Sequence, residues 1–336
     1  MVEVKVWLKT VSLLTITNLS IGFKKKKLQM KKILIVDDLH PIFKQRATEM
    51  GYQVDDEPQI TRQQTLERIK DYVGIAVRTK FRIDAEIFAA APNLKFVARA
   101  GAGLDNIDDK IAFERNIALI NAPEGNCDAV GEHATGLLLS LMNNFRRADH
   151  QIRNGVWDRE GNRGYELKGK KVGIIGYGFM GQSFAKKLAG FEVDVMAYDK
   201  YKTGFSDAFA REVSMEEIVK HSDVLSLHVP LTTETKLMVD DEYFFHFKKP
   251  IFFINTARGE IVSIQAVLNA ISSGKILGAG LDVLQAEKFP ALGEQNWYEE
   301  LKTNDQVILT PHVGGWTVDS YRKISEVLAD KLAQLL

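Results

Sequence analysis

The sequence of 336 residues has one cysteine and no excess of charge of either sign. A lone cysteine, Cys127, excludes a disulfide within the chain and fits a reducing compartment, so we expect a cytoplasmic protein. Its neighbours form no recognisable metal or redox motif, and we expect no metal. Lysine plus arginine and aspartate plus glutamate number 44 each, so the chain as a whole has no electrostatic basis for binding nucleic acid or an acidic membrane surface.

Long hydrophobic runs are also missing. Residues 7–23 are moderately apolar, but they include Lys9 and Asn18 and are too short and too polar to cross a membrane. A secretory signal would carry its charges before the apolar run, whereas the lysines at 24–27 follow it. Because Met30 precedes a typical first strand, we expect residues 1–29 to be a disordered extension or a wrongly assigned start.

With 45% apolar and 26% charged residues, the chain has enough apolar side chains for two domains. From residue 32 onward, short apolar runs alternate with helical patterns, which predicts parallel α/β sheets. The predicted strands are residues 33–36, 75–77, 96–98, 117–120, 172–175, 193–198, 224–228, 251–255, 277–283 and 307–309. The predicted helices include residues 42–50, 85–90, 128–147, 179–188 and 264–271.

A glycine-rich turn, Gly176-x-Gly178-x-x-Gly181, joins the strand at 172–175 to a helix. Gly176 permits the sharp turn, Gly178 lets the backbone approach a pyrophosphate, and Gly181 lets the helix and the strand pack closely. The start of the helix then points free N–H groups and the positive end of its dipole at the phosphates. The motif therefore predicts a dinucleotide site, although glycine-rich turns also occur in loops that bind no nucleotide.

An acidic residue, Asp199, ends the next predicted strand, 18 residues after Gly181. A carboxylate at this position can accept hydrogen bonds from both ribose hydroxyls of NAD, and it repels the 2′-phosphate of NADP. We therefore expect NAD as the cofactor. Lys200 and Lys202 are the features that favour NADP.

Polar groups follow each of the later strands at the point where the strand ends. The stretches are His228-Val229-Pro230, Thr256-Ala257-Arg258, Asp282 with Glu287, and Pro311-His312-Val313-Gly314. In open α/β sheets, ligands bind at the carboxyl ends of the strands. We therefore expect the cofactor and the chemistry on this rim.

Three residues of the rim match the needs of a 2-oxo acid reduction by NADH. The reaction needs a cation for the carboxylate and the carbonyl, a proton donor for the developing alkoxide, and a partner that keeps the donor protonated. We assign these roles to Arg258, His312 and Glu287, in that order. Taken singly, each is better explained as a structural or surface side chain. Their joint occurrence on successive strand ends favours the catalytic interpretation.

The first half of the chain offers a candidate anion site. Arg78 follows the strand at 75–77, and the turn Gly101-Ala102-Gly103 follows the strand at 96–98. The exposed amides of such a turn can hold a carboxylate, and both features fall at the ligand-binding edge of a parallel sheet. A plain tight turn and a solvated surface arginine are the alternative interpretations.

From about Met30 to its end, the chain resembles the D-2-hydroxyacid dehydrogenases of the phosphoglycerate dehydrogenase type. The matching stretches are RAGAGLDNID (99–108), VGIIGYGFMG (172–181), LHVPLTTETK (227–236), INTARGEIV (254–262), GAGLDVLQAEKFP (278–290) and LTPHVGG (309–315). The resemblance implies catalytic roles for Arg258, Glu287 and His312. The residues that it places against or close to NAD are Phe179, Met180, Asp199, Val229, Pro230, Thr256, Ala257, Asp282, Gly314 and Ala102.

The resemblance also implies how the chain is organised. A discontinuous substrate domain, residues 30–125 plus 316–336, and an NAD-binding Rossmann domain, residues 126–315, would form a cleft between them. Two copies would associate through their nucleotide domains as a homodimer. The chain stops 24 residues after His312, so we expect no regulatory C-terminal domain.

The substrate that the resemblance favours is 3-phosphoglycerate, as in serine biosynthesis, because Arg78 matches the position that holds the phosphate end and Lys80 adds a second charge. Reduction of glyoxylate or hydroxypyruvate is the close alternative. A protein of the same fold that senses NAD without turnover is an alternative of another class. Two departures from the family pattern are the start of the long helix at 126–132, which lacks a capping hydroxyl, and Trp316, which replaces a small residue and would narrow the substrate pocket.

Overall fold

The computed structural model describes residues 31–335, whose strands form two sheets that are parallel throughout. The extension expected at residues 1–29 lies outside the described residues. The five-stranded sheet has the order β2-β1-β3-β4-β5 and contains β1 (Lys32–Ile35), β2 (Gln53–Asp56), β3 (Gly74–Val77), β4 (Phe96–Arg99) and β5 (Ala118–Asn121). The helices between its strands are α1 (Ile42–Glu49), α2 (Arg62–Arg68), α3 (Ala85–Ala90) and α4 (Asp109–Glu114).

Two helices, α5 (Pro123–Met142) and α6 (Phe145–Arg153), lead to the second sheet. This sheet contains β6 (Lys171–Ile175), β7 (Asp194–Tyr198), β8 (Arg211–Glu212), β9 (Val224–Leu227), β10 (Ile251–Asn255), β11 (Ile276–Leu281) and β12 (Val307–Leu309). Its order is β12-β11-β10-β9-β6-β7-β8. The remaining helices are α7 (Phe179–Leu188), α8 (Met215–His221), α9 (Asp241–Phe245), α10 (Ile264–Ser272), α11 (Tyr298–Thr303) and α12 (Val318–Ala333).

Both faces of each sheet are buried, which explains why the strands read as continuous apolar runs. In β1, Ile33 and Ile35 join one apolar cluster and Leu34 joins the cluster on the opposite face. In β10, Ile251 and Phe253 likewise face one cluster while Phe252 and Ile254 face the other. Because successive side chains of a strand point to opposite faces, only strands covered on both sides show this pattern.

The last helix returns to the sheet at the beginning of the chain. Ile324, Leu328 and Leu332 of α12 belong to the apolar cluster that also contains Ile33 and Phe43. Arg46 of α1 pairs with Asp330 of α12 at 2.5 Å. This packing supports a discontinuous first domain. The boundaries given above, 30–125 plus 316–336 and 126–315, remain a prediction.

The prediction of parallel α/β sheets is confirmed, and the structure adds elements that the sequence patterns did not indicate. The segment β2 contains one apolar residue, Val54, because it is an edge strand that pairs with β1 alone. A polar edge strand carries no hydrophobic signal.

The prediction of one helix over residues 128–147 was wrong. The structure has two helices, α5 and α6, separated at Asn143 and Asn144, and Asn144 adopts the left-handed conformation with φ +54°. Asparagine tolerates this conformation better than most residues, and α5 begins at Pro123, a residue favoured at the first helical position. Residues 126–132 therefore lie inside α5, so the missing capping hydroxyl has no consequence there.

Membrane and metal features were sought in the same residues. None of the helices within residues 31–335 combines the length and the apolar character that crossing a membrane requires. Across that range, no three histidine, cysteine, aspartate or glutamate side chains are grouped as metal ligands would be.

We predict opposite effects of alanine at two glycines of α5. A Cβ atom on Gly125 would lie 2.6 Å from the backbone Cα of Ile324, so Gly125→Ala should separate α5 from α12 and lower the free energy of unfolding by about 1–3 kcal/mol. A Cβ atom on Gly136 has no neighbour within 4 Å, so Gly136→Ala should raise it by about 0.5–1 kcal/mol. Urea denaturation of both variants measures the difference. Equal effects would contradict the close crossing of the two helices.

Candidate active site

The glycine-rich turn between β6 and α7 shows which glycines the protein itself requires. Gly176 has φ +92°, and a Cβ atom there would lie 2.5 Å from the carbonyl oxygen of His228. A Cβ atom on Gly181 would collide with the carbonyl oxygen of Gly176. A Cβ atom on Gly178, in contrast, meets nothing within 4 Å. Gly178 therefore leaves open space at the start of α7, where the first N–H groups have no partner within the helix.

Asp199 lies directly after β7 and is fixed by two backbone groups. Its carboxylate accepts hydrogen bonds from the N–H of Tyr177 at 2.9 Å and from the N–H of Tyr201 at 3.0 Å. The two neighbouring lysines are engaged elsewhere. Lys200 pairs with Glu234, and Lys202 donates to the carbonyl oxygen of Tyr177 at 2.9 Å.

Further positions of the predicted NAD set fit a dinucleotide. Phe179, in the first turn of α7, is half exposed although it is a large apolar side chain. The buried Oγ1 atom of Thr256 has no hydrogen-bond partner among residues 31–335. Val229 and Met180 are partly exposed, and Pro230 is exposed. A buried hydroxyl without a partner is uncommon and is explained by a ligand that satisfies it.

His312 and Glu287 form a hydrogen-bonded pair. The Nδ1 atom of His312 lies 2.9 Å from Oε2 of Glu287, and both side chains are part-exposed. The hydrogen bond and charge of Glu287 raise the pKa of His312, although burial and the charge of Arg258 act in the opposite direction. His312 also has φ +54°. A residue other than glycine in the left-handed region is strained, and strained residues cluster at functional sites.

Asp282 fixes the loop that carries His312. Its carboxylate is buried and accepts hydrogen bonds from the backbone N–H groups of Val313 at 2.9 Å and Gly314 at 2.8 Å. The hydroxyl of Thr310 donates to it at 2.6 Å, and Thr310 lies 3.0 Å from Nε2 of His133. Burial alone would raise the pKa of Asp282, but the hydrogen bonds from His133, Thr310, Val313 and Gly314 outweigh it and lower the pKa. His133 therefore lies beside the site, with Nε2 3.4 Å from the Asp282 carboxylate.

Arg258 is paired with Asp105, a residue that the sequence analysis did not identify. The Nη2 and Nε atoms of Arg258 donate to Oδ2 of Asp105 at 2.6 and 3.0 Å. Burial would raise the pKa of Asp105, but the charge and hydrogen bonds of Arg258 hold it below its usual range. Asp105 follows β4 and Arg258 follows β10, so this ion pair links the carboxyl ends of strands from different sheets.

The turn Gly101-Ala102-Gly103 lies beside the guanidinium groups of Arg258 and Arg99. A Cβ atom on Gly103 would collide with the guanidinium of Arg258, and a Cβ atom on Gly101 would collide with that of Arg99. The carbonyl oxygen of Ala102 accepts a hydrogen bond from Asn121 at 2.6 Å. The two glycines are therefore required because arginine side chains cross directly over the turn.

A third arginine, Arg78, follows β3. Its backbone N–H and those of Thr79 and Lys80 donate to Oδ2 of the buried Asp37 at 2.7–3.0 Å. Burial, followed by the charge of Arg258, lowers the pKa of Arg99 to about 10, and the charge of Arg78 contributes as well. Arg78, Arg99 and Arg258 therefore form one cationic cluster.

Lys80 was expected to add a second positive charge beside Arg78, but Arg99 occupies that role. The ammonium group of Lys80 donates to the carbonyl oxygen of Pro58 at 2.5 Å, whereas Arg99 joins the cluster. Arg99 is the last residue of β4, so the rule that ligands bind at the carboxyl ends of strands applies to it, but the sequence analysis did not apply the rule there. The signal that could have identified it is its place directly before the 101–103 turn.

The described site matches known proteins over most of the chain. Residues 135–314 match the model of the D-isomer specific 2-hydroxyacid dehydrogenase NAD-binding domain. A glyoxylate reductase of Pyrococcus furiosus is 35% identical over 83% of this chain and 83% of its own length. A D-3-phosphoglycerate dehydrogenase of Archaeoglobus fulgidus is 32% identical over 90% of this chain, which spans only 57% of that protein. A hydroxypyruvate reductase of Thermotoga maritima is 36% identical over 77% of this chain and 83% of its own length.

The fold is shared with a D-lactate dehydrogenase of Aquifex aeolicus, whose structure was determined with NAD and lactic acid. The two structures superpose with a TM-score of 0.76 at 26% sequence identity, over 91% of this chain and 95% of the other. The family model, the relatives and the fold all indicate the same family. The chain belongs to the NAD-dependent D-isomer-specific 2-hydroxyacid dehydrogenases.

Proposed function

We propose that this enzyme transfers a hydride between NAD and C2 of a D-2-hydroxy acid through the concerted action of Arg258, His312 and Glu287. The observation that carries the assignment is the 2.9 Å pair between His312 and Glu287, held near Arg258 by loops that follow β10, β11 and β12. A protonated imidazole beside a guanidinium suits a carbonyl that must accept a proton.

Each residue has a separate task in the reduction of a 2-oxo acid. Bound NADH supplies the hydride that C2 receives. The guanidinium of Arg258 holds the substrate carboxylate and polarises the carbonyl, because its fork of donors matches a carboxylate. His312 donates the proton to the developing alkoxide through Nε2, since its Nδ1 is bonded to Glu287. In the opposite direction, neutral His312 accepts the proton from the hydroxyl.

In the site without substrate, Asp105 is the hydrogen-bond acceptor and counter-ion of Arg258. Asp105 occupies donors of Arg258 that a substrate carboxylate would use. A bound carboxylate can therefore replace or share this partner without leaving the partly buried guanidinium unpaired, which would be costly.

We predict that Glu287→Gln shifts the pH dependence of the reduction. The reaction needs protonated His312, so kcat/KM should fall as the pH rises through the pKa of this residue. Glu287 raises that pKa, so the variant should lose activity at a lower pH than the parent enzyme. The measurement is kcat/KM for NADH-dependent reduction between pH 5 and 9. His312→Gln, the matched control, should lower kcat by roughly 10² or more at every pH. An unchanged profile for Glu287→Gln would contradict the pairing.

The choice of NAD over NADP is proposed to depend on Asp199. Its carboxylate faces the end of the glycine loop, and both nearby lysines are paired with other acceptors. Glu234 neutralises the charge of Lys200, and within residues 31–335 no lysine or arginine forms an ion pair with the Asp199 carboxylate, so this carboxylate would repel a 2′-phosphate.

We predict that Asp199→Asn relaxes this preference. Asparagine removes the charge and keeps an oxygen for one of the two N–H groups, which bind different oxygens of Asp199, so the ratio of kcat/KM for NAD over NADP should fall roughly tenfold or more. Steady-state kinetics with each cofactor measures the ratio. Asp207→Asn, at a carboxylate of the same segment that binds the Tyr177 hydroxyl, is the control and should leave the ratio unchanged. A ratio unaffected by Asp199→Asn would remove the residue from cofactor selection.

For the substrate, we propose a 2-oxo acid with an anionic group on C3, 3-phosphohydroxypyruvate, and hence D-3-phosphoglycerate in the opposite direction, as in serine biosynthesis. The support comes from unsatisfied donors in the cationic cluster. The Nη1 atom of Arg78 and the Nε atom of Arg99 are buried and have no acceptor among the described residues. Buried guanidinium donors without acceptors are rare and suit an anionic ligand.

We predict that Arg78→Ala lowers discrimination between substrates. Loss of a charge-assisted hydrogen bond should raise KM for 3-phosphohydroxypyruvate roughly 10-fold to 100-fold. Glyoxylate has no C3, so its KM should change far less. The test is a panel of NADH oxidation rates with 3-phosphohydroxypyruvate, hydroxypyruvate and glyoxylate. Lys80→Ala is the matched control, because its ammonium group bonds to Pro58. Equal changes for all acids would contradict the phosphate role.

Reduction of glyoxylate or hydroxypyruvate is the second candidate, and the Pyrococcus and Thermotoga relatives favour it. In that case Arg78 and Arg99 would bind only the substrate carboxylate. An NAD-sensing protein without turnover is less well supported, because it would not need the His312–Glu287 pair.

The expected homodimer and cytoplasmic location remain predictions. The surface that favours self-association is apolar and exposed on α6 and the following loop. Its residues are Phe145, Ile152, Val156, Trp157 and Tyr165.

A further inference from the structure

Trp316 lies between β12 and α12, and its ring covers the guanidinium of Arg78. The Cζ atom of Arg78 lies 3.8 Å from the centroid of the Trp316 ring. At this distance the electron-rich face of an indole attracts a cation. The geometry also covers one face of the guanidinium and leaves its edge for hydrogen bonds.

The indole is itself held in place. Its ring meets the ring of Tyr321 edge to face, with centroids 5.5 Å apart. The hydroxyl of Tyr321 donates to Asp38 at 2.8 Å, and the backbone N–H of Trp316 donates to the carbonyl oxygen of Val313 at 2.8 Å. These contacts hold Trp316 beside Arg78, although 42% of the residue remains exposed.

The position of Trp316 affects the electrostatic environment of the Arg78 guanidinium. The small pocket beside Arg78 has an apolar side, formed by Trp316, Ala100, Leu39 and Ile324, and a polar side, formed by Asp38, Tyr321 and Ser325. The Nη1 atom of Arg78 is buried and lacks an acceptor among the described residues. A charge shielded from water attracts an anion more strongly than a hydrated one, and a fixed guanidinium loses less freedom when it binds.

We propose that Trp316 is a specificity-determining residue: by shielding and fixing Arg78, it makes the site select 2-oxo acids with an anionic C3 group over acids without one. The inference rests on the proposed role of Arg78 in substrate binding. It predicts the opposite effect on substrate preference from the expectation that Trp316 merely narrows the substrate pocket. A narrowing residue would disfavour the larger, phosphorylated acid, whereas a residue that shields Arg78 favours it.

The experiment compares Trp316→Ala with Trp316→Phe. The quantity measured is the ratio of kcat/KM for 3-phosphohydroxypyruvate to that for glyoxylate. We expect Trp316→Ala to lower the ratio roughly tenfold, equivalent to about 1.4 kcal/mol, mainly through KM for the phosphorylated acid. Trp316→Phe keeps an aromatic face and should retain most of the ratio. Val318→Ala, two residues further along and almost fully exposed, is the control and should leave the ratio unchanged.

A higher ratio in Trp316→Ala would overturn the proposal in favour of a narrowing role. Equal losses for both acids would overturn it too, because they would indicate a general effect on the site. Thermal unfolding and NADH fluorescence titration establish that each variant is folded and binds the cofactor. If Trp316→Ala does not fold, Trp316→Leu replaces it, since leucine fills space without an aromatic face.

Arg78→Ala separates this inference from the proposed function. If Arg78→Ala leaves the ratio unchanged, the assignment of a C3 anion to Arg78 fails, and the role of Trp316 fails with it. If Arg78→Ala lowers the ratio and Trp316→Ala does not, only the role of Trp316 fails. In the Arg78→Ala background, we expect Trp316→Ala to cause no further loss, because the indole then has no guanidinium to shield.

Discussion

The ion pair between Arg258 and Asp105 is the contact on which the arrangement of the site depends. It joins the carboxyl end of a strand in one sheet to that of a strand in the other, with donor–acceptor distances of 2.6 and 3.0 Å. The turn at Gly103 permits this approach because a Cβ atom would occupy the position of the guanidinium. Since neither sheet alone contains both partners, the guanidinium that we propose to bind the substrate is positioned only when the two sheets meet.

Carboxylates that follow the strands also hold separate segments of the chain together, through hydrogen bonds from backbone N–H groups. Asp37 accepts three backbone N–H groups after β3, and Asp282 accepts two in the loop that carries His312. Asp199 accepts two after β7. A buried carboxylate that binds several N–H groups fixes a loop that contains little regular structure. Asp37 thus fixes the backbone that carries Arg78, and Asp282 fixes the loop that carries His312.

Several features of the site were predictable because they obey rules that act over a few residues. Gly176 and Gly181 are needed for a turn and for close packing, and both are visible as a short motif. Asp105 was not predictable in this way. Its importance comes from Arg258, more than 150 residues away in the chain, and a single sequence contains no signal for such a distance. The same reason explains the polar edge strand β2, whose place depends only on its partner β1.

The sequence by itself determined the parallel α/β architecture, the glycine loop and the strand-end positions of Arg258, Glu287 and His312, because apolar periodicity and turn chemistry are local properties. The tertiary structure decided which charges meet. It paired Arg258 with Asp105, directed Lys80 to Pro58 and placed the ring of Trp316 over Arg78. Side chains from distant segments are brought together only when the sheets pack, and their electrostatic interactions depend on distances of a few ångströms that exist only in the folded chain.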